Sequence, residues 1–334
     1  MITARVALDA MGGDHAPVAT VAGAIEALER DPAVSVALVG IPQALEEQLG
    51  SYPRDRIQIV AATEVVAGGD AATDAVRKED SSIRRGAELV RDGHADGLVA
   101  AGNTGAAVAA STVFMKLIPG VRRPGIAVTL PSLRGPVVLC DAGANLHCKP
   151  LHLFHYGVLA AEYAQRMLGI AHPRVGLMNI GSEEGKGTSL LQETSELLSK
   201  VKHIDFVGNV EGNDVFTGHC HVIVAEGFTG NVILKTAEGL HEMVAHRLAD
   251  LGKIIVASGG EASAAYQRFQ QALDYSEHGG APLLGINGLV LIAHGRSGPK
   301  AIRNAILQAA RFHRSGALAA MTRDIAALHG EASA

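Results

Sequence analysis

The sequence predicts an α/β protein, a mostly parallel β-sheet covered by helices. Three observations carry this prediction. Apolar runs of strand length recur along the chain, and most lead through a Gly-rich turn into a helical pattern, the alternation that builds βα units. The core must be aliphatic, because Trp is absent and aromatics make up 4% of a chain that is 48% hydrophobic; strands buried on both faces need that composition. The first turn, Asp9-Ala10-Met11-Gly12-Gly13-Asp14-His15-Ala16-Pro17, joins the strand-like Val6-Ala7-Leu8 to a helical pattern through Val18, Val21, Ala22 and Ile25. It therefore stands at the carboxyl end of a strand, where ligands bind in open α/β sheets. Its paired glycines permit φ > 0 and close backbone approach. A simple strand-to-helix turn capped by Asp14 also fits this stretch.

Further strands are expected at Val34 to Val39, Ile57 to Ala61, Gly97 to Ala101, Gly125 to Leu130, Val137 to Asp141, Val175 to Ile180, Phe206 to Gly208 and Val222 to Ala225. The turns that follow them are more informative. Ser81 or Ser82 is placed to cap a helix after Arg77-Lys78-Glu79-Asp80. Ala101 leads into Gly102-Asn103-Thr104-Gly105, Cys140 into Asp141-Ala142-Gly143-Ala144-Asn145, and Asn179-Ile180 into Gly181 to Thr188, which contains Lys186. Val207 leads into Gly208-Asn209-Val210-Glu211-Gly212, and Val224 into Glu226-Gly227-Phe228-Thr229-Gly230-Asn231, with Lys235 one helical turn on. Each turn alone is ordinary loop chemistry. Together they suggest a crevice lined by backbone N–H groups, Asn amides and Lys, suited to an anion.

After Gly230 the spacing of Ile233, Ala237, Leu240, Val244, Leu248 and Leu251 predicts a long amphipathic helix ended by Gly252. A second helical pattern runs from Glu261 to Leu273. Residues 230–273 thus read as a helical hairpin projecting from a single two-lobed unit of residues 1–334. Between its arms Ile254, Ile255 and Val256 form an apolar tip flanked by glycines and Lys253, able to enter a membrane surface. The helical stripe itself reads better as packing into the core or a dimer interface.

Composition excludes several classes. A net charge of −5 and a pI near 6.3 argue against a nucleic-acid partner. No apolar run reaches the roughly 18 residues of a membrane span. No secretory signal is visible, and three cysteines without CxxC spacing read as reduced thiols of a cytoplasmic protein. No G-x-G-x-x-G follows a strand, which disfavours a dehydrogenase, and no G-x-S-x-G elbow is present. In Gly181 to Thr188 the Gly185-Lys186 pair comes one residue too early for a P-loop, and Gly187 stands where Ser or Thr should bind magnesium. His219-Cys220-His221 places its two imidazoles on one face of a strand and the thiol on the other, without a second ligand cluster, so no metal is expected.

Taken together, Asp9 to Pro17, Asp80-Ser81-Ser82, Ala101 to Gly105, Asp141 to Asn145, Asn179-Ile180-Gly181, Gly208 to Gly212, Gly227 to Asn231, Lys235-Thr236, Gly279 to Gly285 and His294-Gly295 resemble the bacterial phosphate acyltransferases, the acyl-carrier-protein:phosphate transacylases of phospholipid synthesis. The motifs keep one order nearly end to end. The resemblance implies a Rossmann-like three-layer α/β/α fold related to isopropylmalate dehydrogenases and phosphotransacetylases. It also implies a homodimer, and transfer of a fatty acyl group from acyl carrier protein to inorganic phosphate. The acyl-phosphate product serves a membrane acyltransferase that acylates glycerol 3-phosphate. His147, Thr188 and Glu226 depart from the family pattern.

The residues suit that chemistry. A thioester is already activated and phosphate is the nucleophile, so no Ser or Cys nucleophile and no cofactor is needed. The site requires a phosphate clamp, donors for the thioester oxyanion and an acid for the leaving thiol. Lys186 and Lys235, with the turn residues Gly12, Gly13, Gly102, Thr104, Gly105 and Gly230, suit the clamp. Asn103, Asn209 and Asn231 suit oxyanion or phosphate donation, and His15 and His294 proton transfer. Asp9 and Asp14 fit better as organisers of their loop. An acidic carrier protein needs a basic docking patch, for which Arg84 and Arg85, or Arg122 and Arg123, are candidates. Two other readings are a phosphotransacetylase using acyl-coenzyme A and a non-catalytic sensor of acyl carrier protein or acyl-phosphate; the intact Asn and Lys turns disfavour the sensor.

Overall fold

A computed structural model of the chain describes residues 1–258, 260, 261, 263, 264, 266 and 279–331. Eleven strands form one sheet: β1 (Ala4–Asp9), β2 (Val34–Gly40), β3 (Ile57–Ala61), β4 (Gly97–Ala101), β5 (Gly125–Ser132), β6 (Gly135–Cys140), β7 (Arg174–Met178), β8 (Asp205–Val210), β9 (Val222–Val224), β10 (Ala281–Leu284) and β11 (Val290–Ala293). Their spatial order is β3-β2-β1-β4-β11-β10-β5-β6-β9-β7-β8. Pairing is parallel except at β11/β10, β10/β5 and β5/β6. Three reversals are an odd number, so the parallel strands of one half run opposite to those of the other.

Successive strand residues point to opposite faces, and both faces are covered. Val6, Leu8 and Val99 face one core with α1 (Val18–Arg30), α6 (Pro150–Leu168), α9 (Pro299–Ser315) and α10 (Ala317–Glu331). Ala7, Leu98 and Ala100 face the other, with α4 (Ser82–Arg91) and α5 (Thr104–Ala110). This is the expected three-layer α/β/α arrangement. Small residues set the helix spacing: a Cβ on Gly23 of α1 would lie 2.6 Å from Ile302 Cβ of α9.

The structure departs from the sequence reading in several places. Ser81 stands at the α4 N-cap position, but its hydroxyl donates to Lys78 O and does not cap the helix. β10 and β11 are additional strands; each has four residues, and Pro282 with the flanking glycines disguises the first. Asp14 does not cap α1, which begins at Val18 after Pro17 without a side-chain cap; the Asp14 N–H instead donates to Gly295 O at 2.8 Å. Gly252 does not end its helix. Helix α8 runs Gly227–Ser258, so Ile254, Ile255 and Val256 are helical rather than a tip between two arms. Gly252 is the gap that admits the Tyr266 ring: its Cβ would lie 2.6 Å from Tyr266 Cε1, and the Tyr266 hydroxyl donates to Leu248 O at 3.2 Å. That contact offsets the roughly 1 kcal/mol that Gly costs a helix. Most of the second arm, 261–273, lies outside the described residues. Val256 is exposed and Ile255 half-buried.

Candidate active site

The first half-sheet brings three turns into backbone contact. A Cβ on Gly12 would collide with Ala101 O, one on Gly13 would lie 3.1 Å from Gly295 O, and one on Gly102 would lie 2.7 Å from Gly13 N. Gly13 and Gly102 also hold φ of +99° and +101°, where side chains are strained. These glycines thus join the turns after β1, β4 and β11. Beneath them Asp9 is buried. Burial lifts its carboxyl to about 6, against the pull of the Ser82 hydroxyl and the Met11 and Gly12 N–H groups. Asp9 Oδ1 accepts from Met11 N at 3.3 Å, which ties the carboxyl to its own turn.

The second half-sheet builds its turn around another buried carboxylate. Asp141 Oδ1 accepts from the N–H groups of Ile126, Gly143 and Ala144, and Oδ2 from Asn145 N, at 2.8–3.0 Å. Asn145 Nδ2 ties this turn to Pro124 O at 2.6 Å and to the Tyr156 hydroxyl at 2.9 Å. Gly230 of α8 seats directly on Asp141 O, with no room for a Cβ. Glu226 caps α8 by accepting from Phe228 N and Thr229 N, each at 3.0 Å.

The two halves share one cavity of about 1340 Å³. Gly102 and Thr104 follow β4, and His294, Gly295 and Arg296 follow β11. Ala142 and Gly143 follow β6, and Asn231 and Lys235 belong to α8. Ile126, Val128 and Leu130 give one face of β5, and Leu133, Leu146, Phe216, Phe228, Leu240 and Val244 extend the apolar lining. Carboxyl-end turns of oppositely directed strands therefore face the same space.

Asn231, Lys235, Glu238 and Glu242 lie three or four residues apart and form one stripe of α8. Lys235 Nζ lies 2.7 Å from Glu238 Oε2. The Asn231 side chain makes no hydrogen bond among the described residues, and it rests against Gly143, whose Cβ would lie 3.4 Å from Asn231 Oδ1. His294 Nδ1 accepts from Arg296 N at 3.1 Å, so the neutral imidazole carries its proton on Nε2.

Other expected site residues line no part of this cavity. Asn103 caps α5, accepting from Ala106 N at 2.9 Å, and its Nδ2 donates to Asp70 O at 2.8 Å. Asn209 Nδ2 donates to Glu183 O at 2.9 Å, and Lys186 Nζ lies 4.0 Å from Glu183 Oε1. Lys186 belongs to the turn after β7, whereas Asn209 lies within β8 opposite Leu177 rather than in the expected turn, at the edge of the sheet. His15 is exposed beside the β1 turn, and Gly105 packs 3.0 Å from Ala72 Cβ by its virtual Cβ. Arg296, His241, Phe216 and Phe228 also line the cavity, although the sequence assigned none of them a site role. Arg296 was signalled only by its place one residue beyond His294-Gly295.

The fold defines the class, an α/β architecture built like that of the phosphotransacetylases. The EutD phosphotransacetylase of Staphylococcus aureus matches with a TM-score of 0.61 and 14% identity over 93% of this chain and 94% of that one. A Streptococcus pyogenes phosphotransacetylase matches with a TM-score of 0.61 and 17% identity over 92% and 93%. The profile of the fatty acid synthesis protein family covers residues 4–320, and this chain belongs to that family. Relatives named phosphate acyltransferase include one from Nitratidesulfovibrio vulgaris, 44% identical over 319 residues, 92% of this chain and 90% of that protein. Another, from Myxococcus xanthus, is 44% identical over 333 residues, 96% and 93% of the two chains. The chain is an acyltransferase.

Proposed function

We propose that this enzyme transfers a fatty acyl group from acyl carrier protein to inorganic phosphate, yielding acyl-phosphate for phospholipid synthesis. One observation carries the reading: Lys235, Arg296, His294 and Asn231 share a 1340 Å³ cavity with a long apolar lining. A phosphate and a fatty chain fit one enclosure of that kind. A phosphate oxygen attacks the thioester carbonyl, the oxyanion collapses, the C–S bond breaks, and the phosphate proton passes to the leaving thiolate. Lys235 and Arg296 hold the phosphate with Thr104 and the Gly102 turn, while Asn231 and the His294 Nε2–H face the oxyanion. Asn103, Gly12, Gly13, Gly105 and Gly230 position those turns and His15 flanks them, while Lys186 and Asn209 stand apart beside Glu183 at the β7/β8 edge.

The single sheet supports reading residues 1–334 as one two-lobed catalytic unit with the 230–273 segment attached. We assign it to the cytoplasm as a homodimer, peripherally bound to the membrane beside the glycerol-3-phosphate acyltransferase that consumes its product. Exposed Phe228, Val232 and Met243 on α8 favour a covered helix face, and exposed Val256 favours lipid contact. Among the described residues no helix is long and apolar enough to cross a membrane. The phosphotransacetylase fold favours one second reading, acyl-coenzyme A as donor. The test is incubation with phosphate and either palmitoyl-acyl-carrier-protein or palmitoyl-coenzyme A, trapping acyl-phosphate with hydroxylamine. Hydroxamate from the carrier-protein thioester supports the assignment; hydroxamate from coenzyme A alone selects the second reading, and none from either removes both.

A further inference from the structure

We infer that Arg122, Arg123, His147 and Lys149 form the surface on which the acidic acyl-donor protein docks, beside the Leu146 mouth of the cavity. The inference rests on the reaction assigned above. The Asn145 Nδ2 donation to Pro124 O at 2.6 Å brings together the 122–124 and 145–149 segments. All four cationic or titratable residues are exposed. None forms an ion pair among the described residues, although the chain as a whole carries −5. The nearby carboxylate of Glu226 is occupied by the α8 N–H groups. The field of the cluster is felt locally: besides burial, the Arg123 and Lys149 charges hold the His152 imidazole below its usual range.

The alternative basic pair is already neutralised. Arg85 pairs with Asp80 at 2.8 Å and Arg84 with Glu88 at 3.1 Å, and Arg84 stacks over the Phe114 ring at 4.7 Å. Position settles the choice as well. Arg123 precedes β5, whose Ile126, Val128 and Leu130 line the cavity, and Leu146 is both a lining residue and 64% exposed. A protein seated on this cluster delivers a thioester arm past Leu146 to the donors within. Unpaired rim charges steer encounter and weaken with salt.

The test compares wild type with Arg122→Glu/Arg123→Glu and, separately, Lys149→Glu. Acyl-phosphate formation is measured from palmitoyl-acyl-carrier-protein and from palmitoyl-pantetheine, together with direct binding of the acylated carrier protein at low and high salt. The double variant should raise KM for the carrier-protein thioester about tenfold, the scale of lost electrostatic steering. It should flatten the salt dependence and leave palmitoyl-pantetheine turnover and melting temperature unchanged. Wild-type carrier-protein binding in the double variant overturns the surface, as does an equal loss with both donors. Carrier-protein binding that needs these arginines without acyl-phosphate formation in wild type overturns the assigned reaction and retains the surface. Loss of binding to anionic phosphatidylglycerol vesicles with carrier-protein binding intact shows a lipid-facing patch and overturns it.

Discussion

Gly143 lies against Asn231: a methyl group on Gly143 would sit 3.4 Å from Asn231 Oδ1 and 3.5 Å from its Cβ. The turn held by buried Asp141 therefore sets where this amide stands in the cavity. Asn231→Ala should lower kcat for acyl-phosphate formation by the roughly 2.7–4 kcal/mol of a lost oxyanion donor, with an unchanged melting temperature. Near-wild-type turnover would take Asn231 out of the site.

Lys235 bridges to Glu238 at 2.7 Å while half its side chain remains exposed. An exposed i,i+3 pair contributes little to stability, so its value should lie in phosphate binding. Lys235→Ala should raise KM for phosphate without altering denaturant stability, and Lys235→Arg should recover part of it. An unchanged phosphate KM in the Ala variant removes the clamp role.

His294 accepts from Arg296 N through Nδ1, leaving Nε2–H as a donor. Gln places an amide near Nε2, whereas Asn replaces only the Nδ1 acceptor. His294→Gln should therefore keep more kcat than His294→Asn. The reverse order would show that His294 serves the turn rather than the substrate.

Gly230 packs on Asp141 O without space for a Cβ. Backbone cannot swing aside as a side chain can, so Gly230→Ala should destabilise by about 1–3 kcal/mol or more and reduce activity as α8 shifts. A thermal melt with the wild-type midpoint would contradict this contact.

Asp9 provides a pH test. Its carboxyl titrates near 3.8 when unfolded and at about 6 in the fold. Between those values the folded chain retains a proton that the unfolded chain has lost, so stability falls as pH rises through this window. The contribution is about 3 kcal/mol. Urea midpoints should show wild type losing that much more than Asp9→Asn between pH 4 and pH 7. Parallel profiles would show that Asp9 does not titrate in this way.

The sequence alone determined the alternation of apolar strands and Gly-rich turns, the aliphatic two-sided core and the family. Those features are local, or repeat along the chain, and β3 and β4 coincide with the expected Ile57 to Ala61 and Gly97 to Ala101. The tertiary structure decided which turns meet. Nothing local in Asn103, Asn209 or Asn231 separates a cap from a cavity donor, since all three sit in similar Gly-Asn contexts. Their fates follow from tertiary placement: Asn103 turns to Asp70 O and caps α5, Asn209 lies within β8 at the sheet edge, and Asn231 on α8 lines the cavity. The strand order that joins the two halves depends on β10 and β11, two short strands that pair with each other and, far along the chain, with β5 and β4. Gly252 shows the same limit: it reads as a helix end until Tyr266 fills the gap it leaves.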